Sequence, residues 1–234
     1  MPDNRQSADA RSPSSQFEGL IEVLPAVSRL ALAYAPGPAR VPTLALLSLD
    51  ARLAGLLRHS REPMLAQLRL SWWRESLGRD QDEWPEGEPL LAALRSWNGR
   101  HKALTALVDG WEALTGPAPL SADALQVMAQ GRAEAFAALA HALGRKGEAE
   151  AAYRLGHQWG LADLSMRLAN EQERTTAASL AAARGAGSMR VSRQLRPLLV
   201  LHGLAHRRME KGADAAAISP AAMLKALRLG LLGF

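Results

Sequence analysis

Residues 44–78, LALLSLDARLAGLLRHSREPMLAQLRLSWWRESLG, form the densest apolar and aromatic stretch of the chain. Leu46, Leu49, Leu53, Leu56 and Leu57 recur at three- and four-residue spacing, the period of one helical face. Asp50, Arg52 and Arg58 alternate with that stripe. The pattern predicts a helix opening with Pro42 at its first position, where a missing N–H is harmless, and running to about Ser60. Arg61-Glu62-Pro63 then makes a corner. A second helix follows, with Met64, Leu65, Leu68, Trp72 and Leu77 on its apolar side. Arg69, Trp73 and Ser76 lie on a neighbouring strip.

Moving outward, residues 1–15 are polar and rich in Ser, Pro and Asp, the composition of a disordered tail. The domain is therefore placed at 16–234. Phe17, Leu20, Ile21, Leu24 and Val27 keep helical spacing, interrupted at Pro25. Ala35-Pro36-Gly37-Pro38 is a stop. Beyond Gly78, residues 78–89 read as a loop and 90–97 as a short helix broken at Asn98-Gly99. The next helix spans 101–114, with Leu104, Leu107, Val108 and Trp111 inward. Ser121 is a good N-cap for a helix reaching about Leu143. Another spans 148–170, with a helix-permissive continuation through Ala183, and 184–188 read as a loop. Leu195, Leu198, Leu199, Leu201 and Leu204 mark a helix ending near Lys211-Gly212. Ser219 and Pro220 open the last one, carrying Met223, Leu224, Leu227 and Leu231. The expected fold is all-α, a single-domain bundle of about eight or nine helices.

Composition agrees. Ala and Leu dominate, and aromatics make up only 5% of the 234 residues. Lys+Arg outnumber Asp+Glu by 28 to 23, a net charge of +5 that permits an anionic partner without demanding one. The few Lys are dispersed, so a nucleic-acid partner is not expected. The absence of Cys excludes disulfides and thiolate metal sites. The polar first residues do not read as a signal peptide, and no apolar run is long enough to span a bilayer. A cytoplasmic protein is expected, with peripheral contact at the inner membrane left open.

Three groups of residues carry candidate chemistry. Asp50 lies between apolar residues and offers a carboxylate for Mg²⁺ held through a diphosphate. Such a site needs at least two carboxylates, yet the i+4 position is Ala54. The plainer reading is a solvated Asp, or one paired with Arg52, Arg58 or Arg61. Arg69 and Arg74 flank the pair Trp72-Trp73, and their planar forks suit a phosphate or carboxylate. Alternatively Trp72 is core, and the arginines pair with Glu62, Glu75 and Asp80. In the third group, Asp163 is followed at i+4 by Arg167. Such a pair steadies a helix modestly and repels a divalent cation. Asn170 and Glu171 stand close by. No metal site is assembled by these spacings, and no catalytic residue is assigned.

Taken together these residues resemble the squalene/phytoene synthase family, in its divergent branch, from about residue 30 to 208. The run 61–74, REPMLAQLRLSWWR, resembles the branch signature EPxLgQiRLxWWRd. Tyr34-Ala35 followed by Leu46-Leu47-Ser48-Leu49-Asp50 resembles the opening helix. Gly131-Arg132 with Phe136 and Leu143-Gly144 resembles the mid-chain helix. Gly156 with Trp159-Gly160-Leu161-Ala162-Asp163 stands where the second Asp-rich helix would fall, and Leu195-Arg196-Pro197-Leu198 resembles a late helix.

The resemblance implies an isoprenoid synthase-type bundle. Active members condense two prenyl diphosphates head to head, using two Asp-rich motifs that hold Mg²⁺. Here those motifs are reduced to Asp50 and Asp163. The branch also includes proteins similar to a mitochondrial complex I assembly factor, which lack complete Asp motifs. Three functions follow as expectations. The first is a catalytically degenerate isoprenoid- or diphosphate-binding protein, or an assembly-type factor with a protein partner; no cofactor is then needed. The second is a true prenyltransferase in which Arg69, Arg74 and Arg132 replace some Mg²⁺ charge. The third is a module for an anionic membrane surface or an isoprenoid, with Trp72, Trp73 and Trp159 lining an apolar groove.

Overall fold

Strong helix formers with few β-branched residues leave the backbone little reason to extend. The computed structural model describes residues 13–59, 63–183, 189–212 and 218–234, and among these it is all-α. Helix α1 (Pro13–Glu22) begins inside the segment expected to be a tail, three residues before the predicted boundary at 16. Residues 1–12 lie outside the described residues, as do Ser60, the predicted end of the helix, and Arg61 and Glu62, which belong to the predicted corner and signature. Pro25 opens α2 (Ala26–Leu32) as its N-cap.

Helix α3 runs Gly37–His59, so it starts well before Pro42, which lies inside it rather than at its first position. The Pro42 carbonyl accepts a hydrogen bond from Trp97 Nε1 at 3.1 Å. Leu46, Leu49 and Leu53 are buried as the spacing predicts, while Leu56 and Leu57 are half-buried. Helix α4 (Pro63–Gly78) is rotated relative to the predicted face. Its inward residues are Ala66, Leu70, Trp73 and Leu77, whereas Met64, Leu65, Leu68 and Trp72 are exposed. Trp72 is thus not core.

The stretch after Gly78 is more ordered than a plain loop. Asp80 and Glu83 form a reciprocal capping box around a 3₁₀ turn at Gln81–Glu83. The Trp84 indole is buried and donates to the Ser76 carbonyl at 2.6 Å. Helix α5 (Pro89–Leu94) and a 3₁₀ turn end at Asn98 and Gly99, both in the left-handed region. A second 3₁₀ turn (Arg100–Leu104) leads into α6 (Thr105–Ala113), with Leu107, Val108 and Trp111 inward.

Helix α7 (Ala122–Ala142) is capped by Ser121 Oγ, which accepts from Ala124 N at 3.1 Å. It packs most extensively against α8 (Ala149–Arg167). That contact depends on Gly156. A Cβ there would stand 2.7 Å from the Arg132 carbonyl oxygen and 2.8 Å from Ala133 Cα, too close for any side chain. On the other side of α7, a Cβ on Gly131 would meet the Ala106 carbonyl oxygen at 2.4 Å. The residue after Gly131 is Arg132, so both close approaches fix the position of that side chain.

The helix of α8 does not continue through Ala183. It ends at Arg167, and a separate α9 (Glu171–Ala182) begins. Asn170 is the cap of α9, its Oδ1 accepting from Gln172 N and Glu173 N. The predicted loop at 184–188 lies outside the described residues. Helix α10 (Arg196–Lys211) packs on α8, where His202 Nε2 meets Gln158 Oε1 at 2.8 Å. Helix α11 (Pro220–Leu227) continues as a π-helical turn through Arg228–Leu232 and lies on α10. Its inward residues are Ala222, Ala226 and Gly230, not the predicted stripe. Met223, Leu224, Leu227 and Leu231 face outward.

Candidate functional site

Asp50 interrupts an apolar face of α3 and is nearly buried, at 13% side-chain exposure. A carboxylate in that setting needs donors, because an unpaired buried charge is strongly disfavoured. It finds them across the bundle. Arg132, from the middle of α7, is 2% exposed and donates from Nε to Asp50 Oδ1 at 3.1 Å and from Nη2 to Oδ2 at 2.9 Å. Trp111 Nε1, from α6, also donates to Asp50 Oδ1, at 3.0 Å.

The same guanidinium reaches a second acid. Arg132 Nη1 donates to Asp163 Oδ2 on α8 at 3.0 Å. The other oxygen of Asp163 accepts from Arg167 Nε at 2.6 Å, the i,i+4 pair anticipated from spacing. Two carboxylates and two guanidiniums leave the cluster without net charge. Burial disfavours the charge on Arg132, but Asp50 and then Asp163 outweigh that and raise its pKa above the ordinary arginine value. Two indoles complete the enclosure: the guanidinium carbon lies 4.2 Å from the ring centre of Trp159 and 5.2 Å from that of Trp111. Trp159 in turn stacks on Phe136, ring centres 5.2 Å apart.

This arrangement does not fit a divalent cation. All four oxygens of Asp50 and Asp163 already accept from N–H donors. The donors carry the positive charge a metal would supply, and they repel one. Among the described residues no group of three or more His, Asp or Glu is placed to hold a metal ion. Space is lacking too: the cleft between Leu46, Leu47, Leu107, Ala135, Phe136 and the Asp50–Arg132 pair admits no water molecule.

An open space exists on the outer side of the cluster. A groove of about 530 Å³ runs over Trp111, Asp163 and Arg167. Its walls are apolar, with Val27, Leu57, Leu114, Leu120, Met166 and Leu168, and Arg58, Arg167 and Arg208 supply positive charge. Ala54 lines it, at the place where a second carboxylate one turn after Asp50 would have stood. The size and composition are those of small-molecule sites.

The other predicted site residues are not gathered here. Arg74 is committed to Asp109 (Nε to Oδ1, 2.8 Å) and to Glu112, tying α4 to α6. These hydrogen bonds, Glu112 first and Asp109 second, raise its pKa. Of the predicted partners, Glu75 is engaged with Arg79 and Asp80 with Lys102, while Glu62 lies outside the described residues. Arg69 is exposed and lines a separate cavity of about 400 Å³ with Arg52 and Arg58. Trp72 and Trp73 meet edge to face at 4.9 Å, one exposed and one buried. Neither is among the residues lining the two pockets that hold Trp159.

Sequence reasoning missed the partner of Asp50. It also missed Trp111 as a donor and Arg58 and Arg208 as groove residues. A signal for the first was present: Met128, Ala129, Ala135 and Phe136 share the inward face with Arg132, and an arginine on such a face requires carboxylates. Comparison with protein-family models, with curated proteins and with solved structures finds no match to this chain.

Proposed function

We propose that this chain is a squalene/phytoene synthase-like protein that binds an isoprenoid or prenyl diphosphate without condensing it. One observation carries the reading: the two residual acids of the metal motifs, Asp50 and Asp163, are bridged by the buried Arg132. A carboxylate pair neutralised from within has no charge left for Mg²⁺-bound diphosphates. The groove supports the ligand half of the reading, since its apolar walls suit a prenyl chain and its arginines suit the anionic end. An assembly-type role with a protein partner would use the same inert scaffold.

The test is calorimetry with farnesyl diphosphate, with and without Mg²⁺, beside a turnover assay. Binding of equal strength in both conditions, weakened about tenfold by Arg58→Gln, is expected, with no product formed. Mg²⁺-dependent turnover abolished by Asp50→Ala would establish the prenyltransferase alternative instead. Absence of binding would remove the ligand half and leave the assembly role.

A further inference from the structure

Amphipathic helices of folded domains normally turn their large apolar residues inward and their small or polar ones outward. Helix α11 and its π-helical turn do the reverse. Ala222 and Ala226 are at most 1% exposed and Gly230 is buried, while Leu224, Leu231, Leu232 and Phe234 are each more than half exposed. Met223 and Leu227 are exposed beside them. This orientation is locked in place. Leu229 fills the notch left by Gly203 on α10, where a Cβ would stand 2.2 Å from Leu229 Cδ1. Tyr34 packs against Gly230, where a Cβ would stand 2.2 Å from its ring. Arg196 Nη1 donates to the Leu231 carbonyl and holds the last turn. The outward apolar face is therefore a fixed property of the fold.

The charges on and beside this face are mostly positive, with Glu210 on α10 opposing them. Residues 218–234 contain Lys225 and Arg228 and no Asp or Glu. Arg228 stands one turn after Leu224, at the margin of the apolar face. Lys225 is turned toward α10, where burial lowers its pKa, Glu210 opposes that, and Arg207 and Arg228 add smaller lowering effects. No helix among the described residues is long and apolar enough to cross a membrane. A fixed helix with leucines, a methionine and a phenylalanine outward, edged by Arg228 and with no acidic side chain of its own, has the chemistry of an element lying in a bilayer interface.

We propose that α11 and its π-helical turn dock this protein onto an anionic membrane surface, with Met223, Leu224, Leu227, Leu231, Leu232 and Phe234 entering the acyl boundary and the exposed Arg228 meeting lipid phosphates. The proposal stands apart from the groove reading, because it uses none of the groove residues. Flotation of the full chain with vesicles tests it. Wild type is expected to float with mixed phosphatidylcholine–phosphatidylglycerol vesicles, to release partly at high salt, and to stay behind with phosphatidylcholine alone. The double variant Leu224→Asp/Leu227→Asp changes only exposed positions. It is expected to keep the helical spectrum and melting temperature while vesicle partition falls more than about tenfold. Arg228→Glu should also weaken flotation with the anionic vesicles. Failure of wild type to float with anionic vesicles overturns the proposal, as does flotation of the double variant at wild-type level. A wild-type dimer that the double variant makes monomeric, without flotation, would assign this face to a second copy of the chain instead.

Discussion

Arg132 and Asp50, 82 residues apart, are joined by two parallel hydrogen bonds, Nε to Oδ1 and Nη2 to Oδ2, while the third arm of the same guanidinium holds Asp163. The fork geometry makes this possible: arginine presents its donors in one plane, so one edge serves one carboxylate and Nη1 remains for another. Three helices, α3, α7 and α8, are tied at one point.

Removing that point should be severe. Arg132→Met leaves two carboxylates facing each other in a buried site, a situation that costs about 3–5 kcal/mol. Chemical denaturation should show a loss of that order. Arg132→Lys should recover only part of it, because an ammonium cannot reproduce the fork. Replacing all three charges with Asp50→Leu, Asp163→Leu and Arg132→Met should restore most of the stability, since a well-packed apolar substitute is often as stable as a buried ion pair. A triple variant as unstable as Arg132→Met alone would show that packing, not charge, dominates here.

The adjacent tryptophans of α4 should separate cleanly. Trp73→Ala empties a buried site, with an expected loss of about 3–5 kcal/mol. Trp72 is 41% exposed, and Trp72→Ala should change stability by less than about 1 kcal/mol. Equal losses would mean that the exposed face of α4 is packed against something in solution.

Gly156→Ala tests the α7–α8 contact. The added methyl improves helix propensity by about 1 kcal/mol, but it meets backbone atoms of Arg132 and Ala133 that cannot move independently. Overpacking of this kind costs about 1–3 kcal/mol, so a net destabilisation is expected. Because the displaced backbone carries Arg132, a double-mutant cycle of Gly156→Ala with Arg132→Met should be non-additive.

Acid should destabilise the fold through α10. Burial, with smaller contributions from His206 and Lys225, lowers the pKa of His202 from 6.5 to about 3, and burial also lowers that of His206. The folded state therefore refuses protons that the unfolded state accepts. Above pH 6.5 both states are neutral and the contribution vanishes. Between 6.5 and about 3, stability falls with pH, by about 1.4 kcal/mol per unit for His202. His202→Asn should flatten the stability curve over that window, measured by urea denaturation at a series of pH values.

Much of the fold could be read from residue order because the signals were local. Ser121 and Ser219 cap the helices they precede, and Leu104, Leu107 and Val108 face inward as their spacing requires. The facing of α4 was not readable in the same way. Met64, Leu65, Leu68 and Trp72 form one helical stripe, and Ala66, Leu70, Trp73 and Leu77 form another. Periodicity cannot say which of two apolar stripes the neighbours cover. Helix α11 failed for a related reason, since size suggests Leu224 and Leu227 as core, yet the close approach to α10 selects alanine and glycine. At the site, the Asp163–Arg167 pair was legible because it lies within one turn. The Asp50–Arg132 pair joins residues far apart in sequence, and no spacing rule reaches across that distance.

A guanidinium on a side chain differs from a metal ion in being covalently attached. Its occupancy does not vary with ion concentration, it cannot be stripped by a chelator, and it stays charged throughout the range in which carboxylates are ionised. Arg132 thus places a permanent cation between Asp50 and Asp163. The clasp it forms with the two acids depends on no ion in solution.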